Sequence, residues 1–384
     1  MDLTAPLLFL LKLTTLLVVL GATLWWVLAR RGGHRRARAA FGSILLTVTA
    51  TLVALGAAEA ITRYAYRGVI TTGDDRSYFS HRWMRTDVGP LNRMGFRERN
   101  FNLTPAPGVY RIAVIGDSFT WGQGIRDDQR LTNLLQAQLD THGARFQVLN
   151  FAQPGAQTDD EVRILRESAL KAHPDYILLQ WFINDPEGHN FSGRPWTYRL
   201  LPSDVLNSYL YSHSAFYFLV DQQWNLLQQK LGMGAGYSYD QYMVRRFRDP
   251  NGKDSVAAQR ELERFLDICR RHGVPVGIIL FPELTSNLLH GYPLGFLMDR
   301  VLALCRARGI PCVDLRPVYA GRPPAELHVD RFDGHPSALA NRLAERAVYA
   351  AFAPDWTRLA QHPTLTSPAS ASGVRGSALH SAVQ

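Results

Sequence analysis

The chain has 384 residues, of which 46% are hydrophobic, and it carries a formal net charge of +9. This length suits a membrane segment followed by one sizeable globular domain. The positive charge is concentrated in part between two apolar stretches, where membrane topology explains it. None of the common nucleic-acid-binding modules is present, so we expect no nucleic-acid partner.

The three cysteines, Cys269, Cys305 and Cys312, show no CxxC spacing. The pattern therefore indicates neither a zinc site nor a redox motif. We expect buried free thiols, with one disulfide and a leftover thiol as the alternative.

Two apolar stretches, residues 6–29 and 39–61, each approach the ~20 residues that a helix needs to cross a membrane. Between them lies a short loop rich in arginine, with Arg30, Arg31, Arg35, Arg36 and Arg38. Such loops stay in the cytoplasm. We therefore predict a transmembrane hairpin anchor over residues 1–62 in a plasma (inner) membrane, with the rest extracytoplasmic or periplasmic. A cleaved signal peptide is the alternative, but the basic residues follow the first stretch instead of preceding it.

From residue 110 onward, short apolar runs alternate with longer helical patterns, which is typical of a parallel sheet covered by helices on both faces. We predict an α/β fold whose five strands lie at residues 110–115, 146–151, 176–181, 276–281 and 311–315. Thr158 to Glu161 has the pattern of a capping box that starts one helix.

Three further regions complete the predicted organisation. Residues 63–109 form a linker and edge region that adds a hairpin or an edge strand. Residues 186–255 are an insertion whose aromatic residues have helical spacing, which favours a helix packed on the core over a sugar or acyl groove or a membrane-proximal surface. The main α/β domain spans 110–353, and residues 354–384 have the composition of a disordered tail.

The first predicted strand is followed by Gly116-Asp117-Ser118, which places a serine in the first strand-to-helix turn. This carboxyl edge of the sheet is where doubly wound folds bind ligands. Far along the chain, Asp333 and His335 precede the last predicted helix. Because a serine hydroxyl needs a base and a group that orients the base, we predict Ser118 as nucleophile, His335 as base and Asp333 as its partner.

Loops after the second and third strands carry donors for a developing oxyanion. Gly155 offers a backbone amide, Asn184 offers a side-chain amide, and the Ser118 amide is the third candidate. A metal site is the alternative for the crowded ligands His328, Asp330, Asp333 and His335. That alternative leaves Ser118 and Asn184 without a role, so we predict no metal.

The order of these blocks, Gly-Asp-Ser, a loop glycine, Asn-Asp and a terminal Asp and His, resembles the SGNH or GDSL hydrolase family over residues 110–353. The resemblance implies a flavodoxin-like three-layer sandwich with Ser118, Asp333 and His335 as a catalytic triad. It also implies an oxyanion hole formed by Ser118, Gly155 and Asn184. The implied chemistry is hydrolysis or transfer of small acyl groups, often acetyl from carbohydrate, without a cofactor.

The sequence departs from the family pattern at two places. Phe182 replaces the glycine that commonly precedes Asn-Asp by one residue, which narrows the cleft beside Asn184. In many relatives the aspartate lies three residues before the histidine, where this chain has Phe332. Asp333 is the preferred partner of the histidine and Asp330 is the reserve.

The sequence thus predicts a membrane-anchored, extracytoplasmic serine esterase that acts on small acyl esters, with acetyl expected, of cell-envelope or extracellular glycans. An O-acyltransferase to polysaccharide with the same triad is the first alternative. A non-catalytic glycan-binding or assembly protein is the alternative of another class. The expected partners are the membrane, through the two N-terminal helices, and an acylated carbohydrate.

Overall fold

The computed structural model describes residues 26, 35–74, 76–141, 145–188, 200–201, 203–231, 233, 239–285, 288 and 291–361. These residues belong to two compact units. The first unit draws on residues 1–69, 76–78 and 199–227, and the second on 70–75, 79–198 and 228–384. Residues 199–227, which we predicted as part of an insertion in the hydrolase domain, therefore fall in the first unit.

The structure contains strands of two sheets and helices between them. The strands are β1 (Val109–Ile115), β2 (Arg145–Asn150), β3 (Tyr176–Trp181), β4 (Val276–Leu280), β5 (Cys312–Asp314), β6 (His328–Asp330) and β7 (Asp333–Pro336). The α-helices are α1 (Arg35–Ala65), α2 (Tyr78–Asp87), α3 (Ser118–Trp121), α4 (Leu131–Leu139), α5 (Thr158–Ile164), α6 (Asp204–His213), α7 (Ala215–Lys230), α8 (Tyr239–Phe247), α9 (Lys253–Arg271), α10 (Gly295–Arg308), α11 (Arg316–Tyr319), α12 (Pro324–Leu327) and α13 (Ala338–Gln361).

Helix α1 of the first unit contains one stretch, Gly42–Ala65, that is long and apolar enough to cross a membrane by length and composition. None of its most apolar window is buried inside the protein. This stretch overlaps the second predicted span. The first predicted span, 6–29, lies outside the described residues except for Trp26, so a pair of transmembrane helices is not confirmed.

The end of α1 holds the start of α7 within the first unit. The Glu59 carboxylate accepts hydrogen bonds from Ala215 N at 3.0 Å, Phe216 N at 2.9 Å and Ser214 Oγ at 2.7 Å. These two amides belong to a helix start, where backbone donors have no intrahelical acceptor. Arg63 forms an ion pair with Glu59 at 2.5 Å and donates to the His213 carbonyl at 3.1 Å. The corner between α6 and α7 is therefore fixed to α1 by charged hydrogen bonds.

A five-stranded parallel sheet forms the centre of the second unit, with strand order β2-β1-β3-β4-β5. All five predicted strands are confirmed, each within two residues of its expected bounds. The order places β1 in the interior between β2 and β3, so the loops that follow these three strands lie side by side. Ligands of doubly wound folds bind at this carboxyl edge, where the strand order reverses.

Alternate residues of the strands face two separate cores, because successive side chains of a strand point to opposite faces. On one face, Ala113 and Ile115 of β1 pack with residues of α5, α9 and α10. On the other face, Ile112 and Val114 pack with residues of α4 and α13. This arrangement confirms the predicted sheet with helices on both sides.

Several local features differ from the sequence-based expectations. In the linker, α2 forms where we expected a hairpin or edge strand, and no strand occurs among the described residues of 63–108. Helix α13 continues to Gln361, beyond the predicted domain boundary at residue 353. A short antiparallel pair, β6 and β7, precedes α13 and was not predicted. For the cysteines the expectation of free thiols is confirmed: all three are free, and two of them are buried.

Candidate active site

The turn after β1 fixes the position of Ser118. A Cβ atom on Gly116 would lie 2.5 Å from Gln180 Oε1 and 2.9 Å from Thr120 Oγ1, so any other residue there would displace these two side chains. Gln180 Oε1 accepts hydrogen bonds from Asp117 N at 3.3 Å and from Thr120 Oγ1 at 2.9 Å. The turn is thus closed around a buried side chain of β3, and Ser118 becomes the first residue of α3.

Asp117 braces this turn. Its Oδ1 accepts a hydrogen bond from Phe119 N at 2.9 Å and caps the start of α3. Asp117 is 1% exposed, whereas Ser118 is only half-buried. The serine therefore remains accessible while its neighbour supports the backbone.

The β6–β7 hairpin brings the predicted base and its partner to Ser118. His335 Nε2 lies 2.8 Å from Ser118 Oγ, although 217 positions separate the two residues. His335 Nδ1 is hydrogen-bonded to Asp333 Oδ1, which also accepts from His335 N at 2.9 Å. The alcohol, imidazole and carboxylate form one continuous chain, the arrangement that activates a serine hydroxyl.

Asp330, the reserve partner of the histidine, has a different position. Its carboxylate accepts backbone amides from Ile70 at 2.8 Å, Thr71 at 3.3 Å and Phe332 at 2.8 Å. The carboxylate that contacts His335 is that of Asp333. The two-residue spacing before the histidine is therefore sufficient in this chain.

The charges at the site favour an imidazolium next to an ionised aspartate. Burial lowers the pKa of His335, but the charge and hydrogen bond of Asp333, with the charge of Asp117, raise this pKa above its ordinary value of 6.5. Burial raises the pKa of Asp333, but His335 and the hydrogen bond from Thr71 lower it below its ordinary value of 3.8. Asp333 is thus ionised at neutral pH and favours the protonated form of the His335 ring.

The candidate oxyanion donors lie on loops that follow neighbouring strands. Gln153 N donates to the Gly116 carbonyl at 3.1 Å, which attaches the loop after β2 to the nucleophile turn. Gly155, in this loop, is exposed and has a φ of +73°. Asn184, after β3, makes no side-chain hydrogen bond to the described residues, and its Oδ1 is buried without a partner. The amide of Ser118, as the first of α3, has no intrahelical acceptor.

Residues 114–343 match the model of the GDSL-like lipase/acylhydrolase family, and this match covers more than half of the chain. The chain belongs to the GDSL-like lipase/acylhydrolase family. This assignment confirms the resemblance found in the sequence. It supports an esterase or acylhydrolase activity of the serine-hydrolase type.

Solved structures similar to this GDSL-like chain include a lipase/acylhydrolase from Enterococcus faecalis, with 15% identity, a TM-score of 0.40 and coverage of 64% of this chain and 96% of that chain. An acetyl xylan esterase, AlAXEase, has 14% identity, a TM-score of 0.40 and coverage of 63% and 98%. Esterase EstA from Pseudoalteromonas sp. has 11% identity, a TM-score of 0.38 and coverage of 65% and 98%. A search of curated proteins found no significant match.

Phe182 occupies the place of the common GDSL-family glycine. Its ring is tilted against Phe119, with 4.2 Å between the ring centroids, and Phe119 in turn contacts the His335 ring edge-on at 5.3 Å. Asp185 supports the turn because its Oδ2 accepts a hydrogen bond from Phe182 N at 3.0 Å. The half-buried ring of Phe182 is therefore fixed beside the site.

A group of buried carboxyls beneath the site was missed by the sequence analysis. We predicted Glu161 as part of a capping box, but α5 begins after Gln157, and both Glu161 carboxyl oxygens are buried without a hydrogen-bond partner. Burial, reinforced by the charges of Asp185 and Asp117, raises the pKa of Glu161 well above its ordinary value. Burial also raises the pKa of Asp117 to about 6. This cluster could not be predicted from the sequence, because an acidic first turn is also typical of an exposed helix start.

We expect kcat/KM for ester hydrolysis to rise with pH through an apparent pKa above 6.5, since His335 acts only when it is neutral and its pKa is raised. Initial rates at subsaturating ester between pH 5 and pH 9, roughly the range in which an imidazole titrates, measure this limb.

The matched variant is Asp333→Asn, which keeps the side-chain shape and removes the charge that raises the histidine pKa. The kcat/KM of the variant should be lower than that of the wild type. The pH at which kcat/KM rises should also be lower, because the pKa of His335 is no longer raised. A wild-type limb below 6.5, or a limb unchanged in Asp333→Asn, would contradict the assigned electrostatics.

Proposed function

We propose that this protein is a membrane-anchored, extracytoplasmic serine esterase that removes small acyl groups, with acetyl as the expected group, from cell-envelope or extracellular glycans. The observation that carries the proposal is the 2.8 Å contact between Ser118 Oγ and His335 Nε2, with Asp333 on the other ring nitrogen. A hydroxyl held in this way is prepared for attack on an ester carbonyl.

The proposed mechanism has two halves. In the first, His335 takes the Ser118 proton while Oγ attacks the carbonyl carbon, and the imidazolium then protonates the departing sugar alkoxide. In the second, His335 activates a water molecule, which releases the acyl group as a carboxylic acid. The Ser118 and Gly155 amides and the Asn184 side chain are proposed to stabilise the oxyanion in both halves, where one such donor contributes about 2.7–4 kcal/mol.

A small acyl group is favoured by the aromatic side chain beside the nucleophile. A glycine in place of Phe182 would leave open the volume that the ring fills next to Phe119. Methylene groups of a longer acyl chain need an apolar space of their own, because each buried CH₂ contributes about 0.8 kcal/mol. With that space occupied, acetyl esters are the expected substrates.

The proposed location rests on α1 and the residues before it. The stretch Gly42–Ala65 has the length and apolar composition of a membrane span. The five arginines between residues 30 and 38 precede it, and such a cluster favours the cytoplasmic side. The chain after α1 then lies outside the cytoplasm, where acylated glycans are among the esters within reach of an anchored enzyme.

We expect Ser118→Ala to lose at least about 10³-fold in kcat, since no other group takes the acyl chain. Acetate release from O-acetylated oligosaccharides measures turnover, and labelling by a fluorophosphonate probe measures the nucleophile directly. Both signals should disappear in the variant.

Ser212→Ala is the control, because that hydroxyl bonds to the backbone of its own helix, at the Ser208 carbonyl. A folded wild-type protein that is not labelled would favour a non-catalytic glycan-binding protein. Acetylated acceptor sugar in place of free acetate would identify an O-acyltransferase.

Phe182→Ala should raise the ratio of kcat/KM for butyryl over acetyl esters by about tenfold, since two added methylenes then have room for burial. A series of aryl esters that differ only in acyl length measures the ratio. Phe296→Ala removes another half-buried ring, which packs under Arg300 of α10, and should leave the ratio unchanged. An unchanged ratio in Phe182→Ala would show that this ring does not limit acyl length.

A reporter that is active only in the cytoplasm should give no signal when fused after residue 384, whereas a reporter that is active only outside should be active there. The reason is the arginine cluster before Gly42, which is expected to remain inside. Fusions after Arg38 provide the opposite control. A cytoplasmic signal from the C-terminal fusion would overturn the proposed location.

A further inference from the structure

Residues 70–73 of the linker lie along the β6–β7 hairpin that carries Asp333 and His335. The hairpin residue Asp330 accepts the backbone amides of Ile70 and Thr71, and Gly73 N donates to the Phe332 carbonyl at 3.1 Å. The segment therefore pairs with the hairpin at both ends. Its residues precede the family match, which begins at residue 114.

The side chain of Thr71 makes the contact that matters for the site. Its hydroxyl donates a hydrogen bond to Asp333 Oδ2, across 262 positions of the chain. Thr71 is 0% exposed and Asp333 1% exposed, so water does not compete for this bond. A hydrogen bond to a buried ionised carboxylate is among the stronger hydrogen bonds in proteins.

The two oxygens of Asp333 have separate partners. Oδ1 accepts from the ring and the backbone amide of His335, and Oδ2 accepts from Thr71. A carboxylate with a partner on one oxygen alone can rotate about its χ2 bond, which is a broad torsion. The Thr71 bond fixes this rotation with Oδ1 directed at the imidazole.

Packing holds Thr71 in this place. A Cβ atom on Gly124 would lie 2.7 Å from Thr71 Oγ1 and 2.6 Å from Val329 Cγ1, so the glycine makes room for the threonine against β6. Gln123 Nε2 donates to the Thr72 carbonyl at 3.0 Å and fixes the next residue of the segment. The hydroxyl is thus directed by its surroundings and not by a flexible linker.

We propose that Thr71 is a positioning residue for the Asp333–His335 pair: its hydroxyl sets the carboxylate orientation that holds the imidazole against Ser118. The inference rests on the proposed function, because Thr71 can position the catalytic base only if His335 is that base. Thr71 acts through Asp333, and its fully buried side chain does not face a substrate.

The test uses the full-length protein in detergent and the variant Thr71→Val, which keeps the β-branched shape and removes the hydroxyl. We expect kcat to fall by about tenfold or more while KM stays within about twofold, because the lost bond orients the base and does not bind substrate. The low-field proton NMR signal of the His335 Nδ1–H should broaden or disappear. Thr71→Ser, which restores the hydroxyl, should recover both kcat and the signal.

Thr72→Val is the matched control. Thr72 is a buried threonine of the same segment, 3% exposed, and its hydroxyl donates to the Asp74 carbonyl at 3.0 Å instead of to Asp333. It should keep the wild-type kcat and the low-field signal, even where the thermal midpoint falls as much as in Thr71→Val.

The outcomes separate the inference from the proposed function. If Ser118→Ala abolishes turnover but Thr71→Val behaves like wild type or like Thr72→Val, the role of Thr71 is refuted and the esterase mechanism stands. Failure of Thr71→Ser to recover kcat also refutes it. If turnover does not depend on Ser118, the proposed function fails and the role of Thr71 fails with it.

Discussion

The structure depends on one hydrogen bond between parts of the chain that are far apart in sequence, the contact of Ser118 with His335. Two architectural features make this bond available. The parallel sheet places the turn after β1 in the interior of the carboxyl edge, between the loops after β2 and β3. The β6–β7 hairpin, directly before α13, then brings the imidazole back to that edge. Neither partner has a reactive geometry without the other.

The carboxyl groups on the two sides of the site have pKa values shifted in opposite directions. On one side of the imidazole, Asp333 is kept ionised by hydrogen bonds from His335 and Thr71. Beneath the nucleophile, burial raises the pKa of Asp117 to about 6 and the pKa of Glu161 and Asp185 well above their ordinary values, which favours the neutral form of these carboxyls. The negative charge is thereby concentrated on the carboxylate that contacts the base. A fully ionised cluster beneath Ser118 would instead oppose the developing oxyanion.

The sheet and the main site residues were predictable because their signals are local. Each central strand is a short apolar run, and Ser118 follows the first of them at a glycine where a side chain would displace its neighbours. The positions of Gly155 and Asn184 followed from the same argument about strand ends, although their roles as oxyanion donors remain proposals. The pairing of Asp333 with His335, which strand and helix patterns do not indicate, came from the need of a serine nucleophile for a base and an orienting carboxylate, and the family resemblance agreed with it.

The features that sequence reasoning missed depend on contacts between distant residues. Strands β6 and β7 are too short and polar to show alternation, and they form because the chain pairs with itself before α13. Glu161 has the spacing of a cap, yet burial of α5 turns its side chain inward. Thr71 lies in a stretch of linker without a recognisable motif. Its proposed role depends on the hydrogen bond to Asp333, which is 262 positions away in the sequence.

The pairing of residues 70–73 with the hairpin has a practical consequence for any shortened soluble form of the enzyme. A version trimmed to the recognisable fold would start at Val109. It would lack the linker amides that donate to the Asp330 carboxylate and the Thr71 hydroxyl that donates to the Asp333 carboxylate. Weak turnover by such a fragment would reflect a loosened hairpin and would mislead a substrate screen. A cut between α1 and Ile70 removes the apolar helix while retaining the residues that complete the site.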